Sequence, residues 1–441
     1  MKLNTPKNSN YSAIVVEIKT IVPLENCNNV QHAIIMGNAV VVDKSVKVGD
    51  VGIYIPLETQ LSKEYLSKNN LYRKKELNVD PEKAGYFEEN GRIRCVKFRG
   101  NKSEGLFMPL SSIEFFLNKG DEFKLGNEFD ELNGVEICKK YIPKYSNTSG
   151  APGSGKKGKG RIARESKLIE GQFRFHDDTS MLYRNLHKLH PNDLISITYK
   201  IHGTSTISSY ILCKKPLKWF ERGLKKLGVN IVDTHYDNVY ASRKVIKNED
   251  LNPNPQHYYN EDIWGIANNQ LKDFLLQGMT IYGEVAGYLP LGGVIQKDYD
   301  YGCEPNEHKV YIYRITYTNP QGKVFEFSAK QVQDWCRERN LKAVPQLYYG
   351  TIKDFMVFHT AEWEYLNFDA DFGWQDKFLG LIKQLYNEKD CNICNVKVPE
   401  EGCVIRIEKN EFEAYKQKSE RFYLRETKLL DEDARDIETE N

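Results

Sequence analysis

No run of about 18 apolar residues occurs in the 441-residue chain, so no segment is expected to cross a bilayer. The first ten residues are polar and lack the apolar core of a signal peptide. Charge of one sign is lacking as well. The chain carries 62 Lys and Arg against 61 Asp and Glu, a net charge of +1, so any basic surface must be local. Regular cysteine spacing is also absent. The nine cysteines are odd in number and scattered, which argues against a secreted disulfide framework. Cys391 and Cys394 form the one CxxC, with no second CxxC or HxxxH to complete a zinc site. Reduced thiols in a soluble, intracellular, cytoplasmic protein are the expectation. There is no internal repeat.

What is present is ample core material: 40% hydrophobic residues, with 27 Tyr and 20 Phe, in a length that suits two or three domains. Residues 11–18, 32–36, 39–42 and 51–55 alternate or run apolar, and Gly37-Asn38 and Gly49-Asp50 break them. Short strands at such spacing predict a small β-barrel over residues 1–140. Arg92, Arg94, Lys97 and Arg99 then place four cations in a β-like stretch. They read either as a solvated face or as a groove wall that follows a phosphate backbone.

Residues 141–165 read as a flexible linker, rich in Gly, Ser and Lys. Within it Gly150 to Lys156 fits GxxxxGK. A phosphate-binding loop would need Ser or Thr next, and Lys157 stands there instead. From 166 to 441 helical and strand patterns mix. Leu182 to Leu189 reads as a helix. Ile211 to Asn238 and Ala361 to Glu388 read as insertions, the first with a helix basic on one face and apolar on the other. Core packing is the default for the second.

The chemistry starts at Lys200-Ile201-His202-Gly203-Thr204-Ser205, directly after the alternating strand Leu194 to Tyr199. A lysine at a strand's end is a nucleophile once neutral, and a following glycine lets backbone approach a phosphate. Downstream come Ser242-Arg243, then Tyr282-Gly283-Glu284, then Tyr311-Ile312-Tyr313. Glu401-Gly402-Cys403-Val404-Ile405-Arg406 and Lys416-Gln417-Lys418 complete the series. Lys416 and Lys418 are two apart and share one face of a strand.

That ordered series resembles the motifs of the covalent nucleotidyltransferases, the nucleic-acid ligases and mRNA capping enzymes. KIHGTS is similar to motif I, ASRK to Ia, IYGE to III, EGCVIR to IV and AYKQK to V. His202 stands where DNA ligases and capping enzymes have aspartate, as in one branch of RNA ligases. Those other two classes carry an OB domain after motif V, and only 23 residues follow Lys418 here, so the barrel is expected at the N-terminus. A subgroup of RNA ligases has that arrangement. The resemblance implies an α+β chain: an OB-like nucleic-acid-binding barrel, then a mixed antiparallel-sheet nucleotidyltransferase domain.

It further implies an ATP-dependent RNA ligase that joins 3′-hydroxyl and 5′-phosphate ends. The alternatives are a DNA ligase, a capping-type enzyme or a catalytically dead nucleic-acid-binding relative. Lys200 would take up AMP. Glu401 would hold magnesium, or manganese in its place, through water. Lys416 and Lys418 would clamp the α-phosphate. Thr198, Tyr199, His202, Gly203, Arg243, Glu284 and Tyr313 would line the nucleotide site, with Tyr313 stacking on adenine and Tyr311 as its alternative. The expected partner is a nicked RNA duplex or RNA–DNA hybrid bound by a monomer. Because the motifs lie after residue 190, a fragment from Arg161 is expected to keep nucleotide transfer.

Overall fold

The computed structural model describes residues 3–431, apart from Asn26, Arg99, 143–166, Asp177, 249–250, 252–258, Asn260, 361–372 and Asn387. The GxxxxGK decoy, nearly all of the expected linker, and Trp363 lie outside the described residues. Among the described helices none is long and apolar enough to cross a membrane.

The N-terminal part is built from short strands: β1 (Ala13–Glu17), β2 (Thr20–Pro23), β3 (Val30–Ile35), β4 (Asn38–Asp43), β5 (Val51–Ile55), β6 (Leu106–Pro109) and β7 (Glu128–Phe129). Hydrogen bonding orders them β7-β1-β5-β6 and β2-β3-β4. Met36 and Gly37 both adopt positive φ, +50° and +74°, as a two-residue hairpin turn between β3 and β4 requires. The alternation seen in the sequence is realised as burial: β3 and β4 bury every second side chain.

Two sheets make up the rest. One runs Ser180–Met181, β15 (Glu413–Lys418), β14 (Gly402–Ile407), β8 (Leu194–Tyr199), β13 (Gln346–Thr351). The other runs β10 (Thr234–Ala241), β9 (Thr204–Lys214), β11 (Met279–Gly287), β12 (His308–Thr318), Val324–Glu326. The chain leaves the first sheet at Tyr199 and enters the second at Thr204, so Lys200 to Gly203 bridge the two sheets. Leu182 to Leu189, expected as a helix, forms two short 3-10 turns instead.

Beyond the N-terminal part the described α-helices are α1 (Trp219–Lys226), α2 (Ile263–Leu271), α3 (Ala329–Glu338), α4 (Ile352–His359), α5 (Trp374–Tyr386) and α6 (Glu420–Asp431). The basic, amphipathic α1 sits at the far end of the β9–β10 hairpin, with Trp219 86% and Leu227 81% exposed. Its basic and apolar faces are both solvated.

Helix α5 gives the second insertion a role. Trp374, Phe378, Leu379 and Ile382 are buried in one core with Ile14, Val16, Ala33 and Ile35 of the N-terminal strands and with Ile195 and Ile197 of β8. Leu379 lies over Gly37, where a Cβ would come within 2.4 Å of its Cδ2. Lys383 donates to Gly37 O at 2.7 Å and Asn38 Oδ1 at 3.0 Å. Helix α6 ties the parts together from the other end. Its Tyr423 and Leu424 pack on the N-terminal core, and its Phe422 packs beside His202.

A fragment from Arg161 would therefore expose the catalytic side of a shared apolar core, which revises the expectation of a self-sufficient catalytic fragment. Replacing Leu379, 1% exposed, with alanine should cost about 2–5 kcal/mol. Probes in both parts should shift together in denaturant unfolding. Movement of one probe alone would mean that the seam contributes little.

Candidate active site

The site is assembled at the junction of the two sheets. Backbone bonds fix the nucleophile loop: Tyr199 N–H donates to Pro345 O at 3.0 Å and Lys200 N–H to Gly402 O at 2.9 Å. Gly402 has φ +135°, and a Cβ there would meet Gln417 O at 2.0 Å, so glycine is required at this step between Glu401 and β14. Ser419 N–H donates to Glu401 O at 2.8 Å, which fixes the other side of the same turn. Gly203 is held equally close, since a Cβ would lie 2.3 Å from Val285 O.

Those constraints bring Lys200 Nζ to 2.5 Å from Glu401 Oε1. Glu401 is 1% exposed and meets two further groups. Lys418 Nζ stands 3.4 Å from Oε1, and His202 Nδ1 stands 3.7 Å from Oε2. Among the described residues Oε2 has no hydrogen-bond partner. Lys418 is buried between Glu401 and Glu426, the latter at 3.6 Å, over the rings of Phe422 and Tyr423. The His202 ring is wedged edge-on between Tyr299 and Phe422, both at 4.9 Å, and its backbone N–H donates to Tyr301 Oη at 2.6 Å. His202 therefore faces Glu401.

On the other side of Lys200 lies a cavity of about 140 Å³. Its lining brings together Thr198, Tyr199, Gly203, Arg243, Glu284, Tyr313 and Lys416, which the resemblance had assigned to one nucleotide site. Tyr313 is half-buried at the wall. Tyr311 is 5% exposed, lies outside this lining and packs with Tyr301, 5.9 Å between ring centroids. This geometry favours Tyr313 over Tyr311 as the ring facing a ligand. Arg243 is ion-paired with Asp178 at the rim. Lys416 and Lys418 share a face of β15, yet Lys416 lines the cavity while Lys418 sits with Glu401.

Among the lining residues to which sequence reasoning gave no role are His176, Gln333, Arg406 and Phe412. Burial, reinforced by the Arg314 and Arg243 cations, pushes His176 down to about 3, so it is neutral at physiological pH. It contacts Tyr313 at 5.1 Å and Phe412 at 5.5 Å. Arg406 donates from Nη2 to Phe327 O and its Nε faces Glu408 Oε1 at 3.8 Å, while among the described residues its buried Nη1 has no hydrogen-bond partner. Such an unmatched donor beside a cavity suits an acceptor-rich ligand. Arg406 ends the EGCVIR run, so position in the motif was the available signal.

The N-terminal cations divide. Arg92 is 3% exposed, forms a bidentate pair with Glu58 at 3.0 and 2.8 Å, and lies over Tyr141. A guanidinium buried in this way stabilises the fold and is not presented to a phosphate, which corrects its assignment as a nucleic-acid contact. Arg94 is partly exposed and pairs with Asp431 of α6 at 3.0 Å. Lys97 is exposed beside a wide groove that also takes in Arg73, Tyr86 and Val96. Arg99 lies outside the described residues.

A lysine and a buried carboxylate at the meeting of two sheets, with further cations around one cavity, define a nucleotidyltransferase-type fold behind an N-terminal OB-fold. The RNA ligase family model matches residues 193–422, more than half of the chain, and the chain belongs to that family. A second model, an OB-fold domain, matches residues 12–110. Among solved structures the chain is similar to Naegleria gruberi RNA ligase with PPi, at 16% identity and TM-score 0.56, covering 94% of this chain and 98% of that one. A glutamate-to-alanine variant of that ligase with ATP and Mn gives 16%, 94%, 98% and 0.57 in the same order. A lysine-to-alanine variant with ATP and Mn gives 16%, 96%, 99% and 0.56. No curated protein matches by sequence.

Proposed function

We propose that this chain is an ATP-dependent RNA ligase that joins 3′-hydroxyl and 5′-phosphate ends, with Lys200 as nucleophile. The observation that carries the proposal is the placement of Lys200 between a buried carboxylate and a cation-lined cavity. That Naegleria gruberi RNA ligase is seen with ATP, AMP, PPi and Mn supports the choice of nucleotide and metal. In the first step the Lys200 amine attacks the α-phosphate and the bond to the β-phosphate breaks. Pyrophosphate leaves and AMP remains on Nζ. AMP then passes to a 5′-phosphate, and a 3′-hydroxyl displaces it.

Glu401 fits a magnesium or manganese ion held through water. Its buried Oε2 is an acceptor with no hydrogen-bond partner among the described residues, and a carboxylate oxygen suits a hard cation that keeps its waters. A bound ion would supply positive charge that disfavours the Lys200 ammonium and offsets phosphate charge. Lys416 and Arg243 line the cavity where phosphate charge develops, and preorganised cations there stabilise it. Tyr313 offers a face for adenine. Glu284 and Gly203 complete the wall. Thr198 and Tyr199 hold the β8 end that carries the nucleophile.

The division of labour proposed is 1–140 for holding nucleic acid, 141–165 as connection, and 166–441 for nucleotide transfer. Arg94 and Lys97 remain the candidate phosphate contacts, on a monomer bound to a nicked duplex. Such contacts predict that substrate binding weakens steeply with salt.

Telling RNA from DNA requires reading the 2′-hydroxyl or A-form shape, most usefully at the nucleotides beside the reacting 3′-end. Four nicked duplexes, with RNA or DNA on each side of the nick, test the assignment. Sealing should require RNA on the 3′-hydroxyl side and tolerate either on the 5′-phosphate side. Equal sealing of an all-DNA nick would move the enzyme to the DNA ligases.

A further inference from the structure

Nine cysteines occur and none is in a disulfide. Seven are buried, and the two with solvent access are Cys391 and Cys394, the two halves of the CxxC. Both side chains pack against the same small core, which holds Tyr299, Tyr301 and Tyr311. They sit in a loop that is tied to the active site at several points. Cys391 N–H donates to Val398 O at 2.7 Å and Glu400 N–H to Lys389 O at 3.0 Å, so the loop is closed at its base and ends directly on Glu401. Asp300 accepts from Asn395 N–H at 2.8 Å and from Val396 N–H at 3.2 Å. The tyrosines on either side of Asp300 reach both the loop and the nucleophile segment. Tyr299 Oη donates to Pro399 O at 2.7 Å, and Tyr301 Oη accepts from His202 N–H at 2.6 Å.

We propose that Cys391 and Cys394 form a reversible dithiol–disulfide site, oxidised by peroxide, whose oxidised state slows nucleotide loading of Lys200. The gating half rests on the reading of Lys200 as nucleophile. Interaction with Cys394 is the leading cause that lowers the Cys391 thiol below the usual cysteine range, so Cys391 is the readier of the two to attack as thiolate. It attacks one oxygen of hydrogen peroxide, the O–O bond breaks, and with one proton water leaves and a sulfenic acid remains. The Cys394 thiol then displaces hydroxide from that sulfur, its proton going with the leaving group as a second water. The two thiols lose two electrons and two protons, and the peroxide is reduced to two waters.

Closing the bond fixes the two sulfurs at about 2.05 Å. The 391–394 turn must shift to allow it. Its ties to Tyr299, Tyr301 and the Glu400–Glu401 step carry that shift to His202 and Glu401. Displacement of about 1 Å in a positioned catalytic group costs up to roughly a hundredfold in rate.

The test treats the full chain with hydrogen peroxide, maps peptides by mass, and measures AMP adduct formation on Lys200 before and after thiol reduction. Expected are a peptide pair linked at Cys391 and Cys394, a roughly ten- to hundredfold slower adduct formation, and recovery on reduction. Cys391→Ser and Cys394→Ser should each load AMP at the reduced rate and be insensitive to peroxide. Absence of the linked pair, or a linked pair with an unchanged loading rate, would overturn the proposal. Absence of any adduct in the reduced protein would overturn the reading of Lys200 and the gating with it, while the peptide map would still report the disulfide.

Discussion

Replacing Lys200 with alanine should leave a folded protein that takes up no AMP from ATP and magnesium. The side chain is partly exposed, 19%, and its removal does not strand Glu401, because Lys418 Nζ remains 3.4 Å from the same oxygen. Stability should therefore change little, whereas the amine that both pairs with Glu401 and lines the cavity is gone. Lys200→Arg sharpens the test. Arginine keeps the positive charge opposite Glu401 yet cannot give up its proton in a protein, so it should preserve the ion pair and still form no adduct. Intact-protein mass before and after incubation reads both variants. An adduct surviving in either, or one mapped to Lys156, Lys416 or Lys418 in the unaltered chain, would sink the assignment.

The path from sequence to site was uneven for physical reasons. Lys200, Glu284, Glu401, Lys416 and Lys418 were singled out by their place in motifs that resemble the nucleotidyltransferase series, and such motifs are legible because backbone constraints lie inside them. Gly402 shows why, since its φ of +135° and its contact with Gln417 O leave no room for a side chain. Arg92 was misjudged because its partners are remote in sequence. Glu58 is 34 residues away, and charge counting along a strand cannot see it. The same holds for α5, whose apolar residues looked like a private core until the β3–β4 turn was placed against them.

The choice between Tyr311 and Tyr313 also needed three dimensions. The two tyrosines are two apart in β12, but pairing with β11 shifts register between Tyr282 and Gly283. Only Tyr313 reaches the cavity. The N-terminal barrel expectation met an OB-fold, yet the strand Thr20–Pro23 was not anticipated. It is mostly exposed, so burial did not mark it.

Exchanging Glu401 for glutamine should slow AMP loading, and the direction is the informative part. In the structure Glu401 Oε1 holds Lys200 at 2.5 Å. An opposite charge so close favours the ammonium, which cannot attack phosphorus. Free lysine, with a pKa of about 10.4, already needs help to become neutral. If the pair with Lys200 were all that Glu401 does, glutamine would release the amine and loading would accelerate. If Glu401 holds a divalent ion through its free Oε2, the nucleotide-bound ion draws the carboxylate away from Lys200 and adds the positive charge that neutralises it. Glutamine then loses the ion, and loading should fall by roughly 10- to 100-fold. Two measurements separate the cases. The rate of adduct formation gives the sign, and a magnesium or manganese titration gives the position, which should move to higher metal concentration in Glu401→Gln. Lys418 and His202 keep their apolar packing on Phe422 and Tyr299, so the variant should fold. A faster rate at unchanged metal dependence would leave Glu401 as a brake on Lys200 and remove it from the metal site.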